Sequence, residues 1–221
     1  MEKYLPILNG CSFFNGMSQQ EILSILGCVN AYTVKRDKDS FIFRSGDTTE
    51  VMGLVLVGSV FVVQEDVWGH RNIMTKCHPG DLFCEIYAST PGSVLNVSAI
   101  TVENSTILMM NVKRLLATCS VACEHHQKLI RNLVGVLAGK VLKFNEKITH
   151  ISKRTTREKL LSYLSRESQR QGKLSFDIPF NRQELADYLC VERSAMSLEL
   201  SKLKKEGLLD TARNHFVLSA K

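Results

Sequence analysis

The residues with the clearest chemical potential lie near the carboxyl end of the chain, in the stretch FNRQELADYLCVERSAMSLELSKLKKEGL. Its apolar residues keep helical spacing as far as Leu189, lose it over residues 190–192 and resume at Met196. The second helix turns its polar residues outward: Arg193, Ser194 and Ser197. An arginine guanidinium can donate two hydrogen bonds to guanine, and hydroxyls bind base edges or phosphates. This pattern predicts a helix that reads a groove of DNA.

Two short helices that meet at a three-residue break are typical of a helix-turn-helix motif. Such a motif needs a small residue where the helices cross, which Ala186 supplies, and apolar residues that fix the crossing angle. The apolar set is Leu185, Leu189, Val191, Met196 and Leu200. The pieces LLDTA and HFVLS, joined around residues 212–214, predict two strands and therefore a winged version of the motif. Two packed helices with a solvated polar face are the alternative.

The turn between the two helices carries an unusual residue. Many helix-turn-helix motifs use glycine there, because the backbone tends toward positive φ, whereas this chain has Cys190. A side chain in that conformation costs about 1 kcal/mol. We expect the motif to tolerate this cost.

The positive charge of the chain is concentrated in its last third. The formal net charge is +6, and residues 151–221 contain 14 Lys and Arg against 9 Asp and Glu. A basic excess around a helix-turn-helix favours a polyanionic partner, and double-stranded DNA is the partner that such a motif binds.

A long helical pattern precedes the motif. Its apolar residues recur at spacings of three and four over about three heptads, as in a coiled coil. They are Ile130, Leu133, Leu137, Val141, Phe144, Ile148 and Ile151. A seam of this length predicts a parallel homodimer, and a helix packed against its own domain is the alternative.

Residues 40–110 read as a series of short strands separated by glycines. The glycines follow one another at spacings of 12, 11 and 11 residues, and such regular turn signals indicate an antiparallel sandwich or barrel. They are Gly46, Gly58, Gly69 and Gly80. A short helix, SQQEILSILG, precedes the strands, with Ser18 as its predicted N-cap.

Composition bounds the class of protein. The 221 residues are 44% hydrophobic, which is enough to build a full core. Apolar stretches such as VMGLVLVGSVFVV are interrupted by glycine and serine and are too short for a membrane span. The start, MEKYLPILNGCSFF, does not read as a signal peptide, and seven scattered cysteines without such a signal predict reduced thiols. We expect a cytoplasmic protein without membrane contact.

The glycine-punctuated barrel with PGDLFCE, the long helix and NRQELADYLCVERSAMSLELSKLKKEGLL together resemble the cyclic-AMP receptor and fumarate-nitrate regulator (Crp/Fnr) family of bacterial transcription factors. The resemblance covers nearly the whole chain. It implies an α+β fold with a cupin-like double-stranded β-helix (jelly-roll) sensor barrel at 1–115, a dimerisation helix at 116–152 and a winged helix-turn-helix at 153–221. It also implies a homodimer formed through residues 116–152 that binds a palindromic promoter site, contacts RNA polymerase and responds to an unidentified small-molecule effector. Such a protein is a regulator and not an enzyme.

The resemblance assigns DNA-binding roles by position. Arg193 falls where the recognition helix of the family commonly places an arginine that reaches guanine. Arg182 and Gln183, at the start of the first helix, would contact phosphates, and Lys202 belongs with them. Many relatives carry a second basic residue five positions after Arg193, but this chain has Leu198, which leaves the matching base preference open. The predicted DNA-binding set is Arg182, Gln183, Arg193, Ser194, Ser197 and Lys202.

The resemblance also locates an effector pocket in the barrel. Cyclic-nucleotide binders of the family use a Gly-Glu pair and a later Arg-Ser pair, which here read Cys84-Glu85 and Val97-Ser98. Glu85 can still accept ribose hydroxyls, but the arginine is absent, and a buried phosphate without its counter-charge costs several kcal/mol. We therefore expect an effector other than cyclic AMP. The predicted pocket is Phe83, Cys84, Glu85, Ile86, Val97, Ser98, Leu142 and Lys143.

Cysteine positions bear on two cofactors known in the family. Iron-sulfur sensing uses clustered cysteines near the N-terminus, but Cys11 and Cys28 are 17 residues apart, which disfavours an iron-sulfur cluster. Haem-sensing relatives can place a cysteine ligand near the position of Cys84, but the histidine expected two residues later is Ile86. The cofactor is therefore left unassigned.

Cys119, Cys123 and His126 are spaced i, i+4 and i+7, so on one helix they would share a face. There they could bind a metal or respond to oxidation. The plainer interpretation is two small buried cysteines beside a polar histidine, and we assign no metal site. A redox- or haem-responsive regulator that uses Cys84 or the pair Cys119 and Cys123 is the alternative function.

A cupin-like barrel can also contain a metal-dependent enzyme, which is the more distant alternative. Such a site needs a His-x-His pair followed by Glu and a later His. Here His70 and His78 have seven residues between them and belong to different turns. The sequence therefore lacks the required pattern.

Overall fold

The computed structural model divides the chain into two compact units. It describes residues 1–69, 71–117 and 124–219. The first unit comprises Met1–His70 and Met74–Lys140, and the second comprises Arg71–Ile73 and Val141–Lys221. None of the described helices is long and apolar enough to cross a membrane.

Two short helices open the first unit, α1 (Leu5–Gly10) and α2 (Gln19–Cys28). α2 begins with a capping box. The Ser18 hydroxyl accepts a hydrogen bond from the Glu21 backbone N–H at 3.3 Å, and the Glu21 carboxylate accepts one from the Ser18 N–H at 2.6 Å. The N-cap predicted at Ser18 is confirmed.

Antiparallel strands form the body of the first unit, and all lie within it except the first three residues of β5. They are β1 (Tyr32–Arg36), β2 (Phe41–Phe43), β3 (Val51–Val57), β4 (Val60–Glu65), β5 (Arg71–Cys77), β6 (Leu82–Phe83), β7 (Ser98–Thr101) and β8 (Ser105–Asn111). They build two four-stranded sheets, in the orders β1-β8-β3-β6 and β2-β7-β4-β5. These sheets are the two layers of the predicted jelly roll. Two short helices, α3 (Glu85–Ala88) and α4 (Val112–Leu116), follow β6 and β8.

The predicted turn glycines all have positive φ. The values at Gly46, Gly58, Gly69 and Gly80 are 95°, 82°, 82° and 94°. A left-handed backbone favours glycine because a Cβ atom is strained there. At Gly58 close packing also excludes a side chain, since a Cβ would lie 2.3 Å from Ser105 Oγ. The regular glycine spacing therefore identified real turns.

The long helix α5 (Glu124–Ile151) is shared between the two units. Leu129 and Leu133 are buried in the core of the first unit, and Ile130 and Leu137 are half-buried against it. The sequence pattern placed Leu133 in a dimer seam, and that assignment is wrong because Leu133, 3% exposed, packs within its own domain. The helical pattern therefore combines residues of a domain core with others, such as Val141, that stay exposed.

Three helices build most of the second unit: α6 (Thr156–Gln171), α7 (Arg182–Leu189) and α8 (Arg193–Lys205). α6 and α7 each start with a capping box, formed by Thr155 with Glu158 and by Asn181 with Glu184. Their apolar faces meet in a common interior. Its buried members include Leu160, Leu164, Leu185, Leu189, Met196, Leu200 and Leu203.

A small sheet completes the second unit. Its strands are β9 (Ser175–Asp177), β10 (Leu209–Ala212) and β11 (His215–Leu218), in the order β10-β11-β9. β10 and β11 pair from Leu209 opposite Leu218 to Ala212 opposite His215, which confirms the predicted wing. β9 was not predicted, because three residues are too few to show an alternating pattern.

Candidate nucleic-acid interface

α7 and α8 form the predicted helix-turn-helix, with Ala186 fully buried. Cys190 directly follows α7, and its φ of 53° and ψ of 54° lie in the left-handed region. The Val191 N–H donates to Ala186 O at 3.0 Å and closes the turn. The positive φ expected at this turn is confirmed, and a residue other than glycine adopts it.

The side chain of Glu192 caps the N-terminus of α8. Its carboxylate accepts hydrogen bonds from the Ser194 hydroxyl and, at 2.8 Å, from the Ala195 backbone N–H. These bonds, first that of Ser194, hold the pKa of Glu192 below its usual value. The cap fixes the first turn of α8 and places a carboxylate next to Arg193.

The outward face of α8 is exposed, as the helical pattern predicts. Arg193, Ser194 and Ser197 are exposed, and together with Gln183 and Val191 they line a shallow concave surface. In the described part of the chain, the Arg193 guanidinium makes no hydrogen bond or close ion pair, and the Glu192 carboxylate acts on it only as a nearby charge. A guanidinium whose N–H groups are not used in hydrogen bonds can donate to an acceptor pair on a base.

Arg182 is held within the protein. Its guanidinium lies over the Phe216 ring, 5.0 Å from the centroid, and donates to Thr211 Oγ1 at 2.6 Å. Burial lowers the pKa of Arg182. Its Nη1 has no hydrogen-bond partner within the described residues. Arg182 therefore anchors the wing to α7, and its phosphate contact stays a prediction.

Gln183 and Lys202 are both exposed. Gln183 Nε2 donates to Asp187 Oδ1 at 2.8 Å, and Lys202 Nζ lies 3.5 Å from Glu199 Oε2. Contacts of exposed side chains are weak, so phosphate groups can replace them. The phosphate contacts of both residues stay predictions.

α6 braces α8 through Arg157. Its Nη1 donates to Glu199 Oε1 at 3.2 Å and to Glu206 Oε1 at 2.9 Å. These contacts tie the middle of α8 and the residue that follows it to one guanidinium. Arg157 therefore fixes the position of α8 from the side opposite its exposed face.

The predicted effector pocket contains a buried ion pair. Glu85 is 1% exposed, and Lys140 of α5 brings its Nζ within 2.6 Å of Glu85 Oε1. The same Nζ donates to Leu82 O at 2.6 Å. The pair is held by charge, since neither carboxylate oxygen accepts an aligned hydrogen bond from the described residues. Lys140 thus neutralises the carboxylate that the family resemblance assigned to ribose hydroxyls.

The other predicted pocket residues lie in different environments. Phe83, Cys84 and Val97 are buried in the apolar core of the first unit. The Phe83 ring occupies the space left by Gly53, where a Cβ would lie 2.2 Å from the ring. Ser98 is half-buried, and its hydroxyl accepts from a backbone N–H at 3.0 Å. Exposed positions are taken by Ile86, Leu142 and Lys143.

The cysteine alternatives gain no support from the described residues. Cys84 is buried, and burial raises the pKa of its thiol, whereas a reactive cysteine needs a lowered pKa. Cys119 and Cys123 lie outside the described residues. His126 is 7% exposed, and its Nδ1 has no partner among the residues described. No group of three or more His, Cys, Asp or Glu side chains placed to hold a metal occurs in the described ranges.

Sequence reasoning missed two residues of these sites, Lys140 and Glu192. A lysine that reaches a buried carboxylate has no sequence signature, because long side chains on helices commonly lie along the surface. The Glu192 cap left a clearer signal. An acidic residue directly before an apolar-periodic helix is favoured by the helix dipole.

Two family models match the chain. The cyclic nucleotide-binding domain matches residues 33–121, and the Crp-like helix-turn-helix domain matches residues 158–220. The transcriptional activator protein FnrL of Cereibacter sphaeroides is 23% identical over 175 residues, covering 75% of this chain and 67% of FnrL. The two matched ranges cover nearly all of the β-sheets of the first unit, and the helix-turn-helix with its wing.

Solved structures share the fold. FixK2 from Bradyrhizobium japonicum is 21% identical, with a TM-score of 0.65 over 86% of this chain and 93% of FixK2. The regulator CLP of Xanthomonas campestris is 17% identical, with a TM-score of 0.74 over 92% of this chain and all of CLP. At these identities the likeness concerns the fold.

We predict that Cys190→Gly stabilises the protein by about 0.5–1 kcal/mol, because glycine adopts the left-handed turn without Cβ strain. Urea unfolding of the full chain measures this change. Cys190→Ala is the matched control and should give no such gain, since alanine keeps the Cβ. Equal stabilisation by both substitutions would mean that the thiol, and not the backbone, carries the effect.

Proposed function

Since the chain belongs to the Crp/Fnr family of DNA-binding transcription regulators, we propose that it works as a homodimer whose two α8 helices bind a palindromic promoter site. The observation that carries this proposal is the exposed face of α8, which starts at Arg193, an arginine whose guanidinium makes no hydrogen bond within the described residues. Each α8 enters the major groove of one half-site, where an arginine donates to guanine O6 and N7.

An exposed apolar stripe on α5 supports the dimer. Val134, Val141 and Ile148 follow one another at seven-residue intervals and are 60%, 56% and 57% exposed. Side chains at heptad spacing fall on one face of a helix, and a second copy of the same face buries them in a parallel coiled coil. The dimer forms through α5, within the predicted span 116–152, part of which (118–123) lies outside the described residues.

The dimer sets the distance between the two helix-turn-helix domains. Half-sites of a palindrome lie about 34 Å apart, one helical turn of DNA. Two helix-turn-helix units joined through α5 bind both half-sites at once. RNA polymerase is the further partner that a promoter-bound regulator of this type contacts.

Regulation is proposed to pass through Lys140. The Glu85 carboxylate in the barrel and the ammonium group on α5 form one buried pair, 2.6 Å apart. An effector that binds Glu85 must release Lys140, and the release acts on the helix that forms the dimer. The effector thereby shifts the population between two arrangements of the helix-turn-helix domains.

Cyclic AMP does not fit this pocket. Its phosphate needs a cation, but Val97 occupies the position of the family's arginine and Lys140 is already paired with Glu85. If Lys140 turned to the phosphate, the buried Glu85 carboxylate would lose its counter-charge, and such a loss costs about 3–5 kcal/mol. The effector is therefore a different small molecule, which the pocket chemistry does not name.

Calorimetry with cyclic AMP tests the pocket. We expect no binding tighter than millimolar, because the phosphate would be buried without a counter-charge. Lys140→Ala is the informative companion variant. If the parent protein bound cyclic AMP at micromolar concentration and Lys140→Ala abolished that binding, Lys140 would be the phosphate ligand and the proposed pairing would be wrong.

Sedimentation and duplex binding test the dimer. Val141→Glu should give monomers with weakened operator affinity, because like charges facing each other across a coiled coil repel and a single half-site is then bound alone. Val94→Glu is the matched control, since Val94 is also 56% exposed but lies in a loop of the barrel. A monomeric Val141→Glu protein with full operator affinity would contradict the dimer model.

Competition binding tests base reading against phosphate binding. Arg193→Ala should cost about 1–3 kcal/mol on the operator and relax base preference at one position per half-site. Lys202→Ala should weaken binding to operator and scrambled duplex alike and reduce the salt slope by roughly 0.9 for each phosphate that is no longer neutralised. Lys202 is a cleaner phosphate probe than Arg182, whose removal also loosens the wing. Equal weakening on both duplexes for Arg193→Ala would show that α8 docks differently.

A further inference from the structure

Leu198 occupies the centre of the face that α8 exposes. It is 60% exposed and lies opposite the buried stripe formed by Met196, Leu200 and Leu203. Ser194, one turn earlier, and Ser201, one turn later, share its direction. Single exposed leucines are ordinary on protein surfaces. This leucine differs because the proposed function places its side chain against the floor of the major groove.

The polar neighbours of Leu198 have already donated their hydroxyl hydrogens within the protein. The Ser194 hydroxyl donates to the Glu192 carboxylate. The Ser197 hydroxyl donates to Arg193 O at 2.9 Å, and the Ser201 hydroxyl donates to Ser197 O at 3.0 Å. The central part of the face therefore offers DNA an apolar side chain and few free donors.

We infer that Leu198 is a specificity residue that recognises a thymine through its C5-methyl group. Thymine is the base that presents an apolar group in the major groove, so contact with leucine removes two apolar surfaces from water. Cytosine and guanine would instead place polar edges against the leucine, where an unpaired buried donor or acceptor is costly. This inference rests on the proposed function.

The helix geometry places this thymine. Leu198 follows Arg193 by five residues, which corresponds to roughly 7.5 Å along an α-helix. Base pairs are stacked about 3.4 Å apart. The thymine therefore lies about two base pairs from the guanine that Arg193 contacts, within the same half-site.

Deoxyuridine substitution isolates the methyl group. The full-length protein first selects its operator from a library of random duplexes, and each thymine of the selected site is then replaced by deoxyuridine, which lacks only that methyl. We expect a decrease of about fourfold in affinity per substituted half-site at one position, the factor for one buried methyl-sized group. That position should lie about two base pairs from the guanine whose preference depends on Arg193.

Three variants assign the effect to Leu198. Leu198→Ala should bind the thymine and deoxyuridine duplexes equally at that position while keeping the guanine preference. Leu198→Arg should change the preference there from thymine to guanine. Leu174→Ala is the matched control, since Leu174 is 49% exposed and lies directly before β9, outside α8. It should keep the discrimination of the parent protein.

The outcomes separate this inference from the proposed function. The selected operator can show an Arg193-dependent guanine while Leu198→Ala still discriminates thymine from deoxyuridine as well as the parent protein does. In that case Leu198 does not read thymine, but the proposed function as a DNA-binding regulator is unaffected. If no duplex sequence is enriched, sequence-specific binding fails and the inference fails with it. Thermal unfolding checks that Leu198→Ala is folded, which its exposure leads us to expect.

Discussion

The surface proposed to read DNA depends on the burial of one stripe of α8. Met196, Leu200 and Leu203 fill the interior shared with α6 and α7, and a helix with 3.6 residues per turn then has no freedom to rotate about its axis. The positions of Arg193 and Leu198 are consequences of that packing. Glu192 fixes the start of the helix and Arg157 holds its far side, so the exposed face is presented as a rigid surface.

The interior of the first unit contains a buried carboxylate, Glu85, that is neutralised by a lysine of α5. Cys84 takes a left-handed conformation, with φ of 59°, directly before the buried Glu85. Lys140 supplies the positive charge that this carboxylate needs, and it comes from the same helix whose residues Leu129 and Leu133 are part of the core. Charge balance and apolar packing therefore both bind this part of α5 to the barrel.

Features set by neighbouring residues could be predicted from the sequence, and features set by distant contacts could not. The helix-turn-helix, its wing and the turn glycines follow from periodicity and from local backbone preferences. Leu133 shows the limit, because helical spacing identifies an apolar residue but not the surface that covers it. Arg182 shows the same limit for charge. It was predicted to face phosphates, and only the fold reveals its contacts with Phe216 and Thr211.

The inward hydrogen bonds of the α8 serines have a consequence for the information content of the operator. If Arg193 and Leu198 each specify one base pair per half-site, a palindrome carries four specified positions, and a random sequence matches about once in 250 sites, against the 10⁶ or more competing sites of a genome. Recognition by base edges alone would leave thousands of decoys. The fixed distance between half-sites and the bendability of the DNA between them must then supply most of the remaining discrimination.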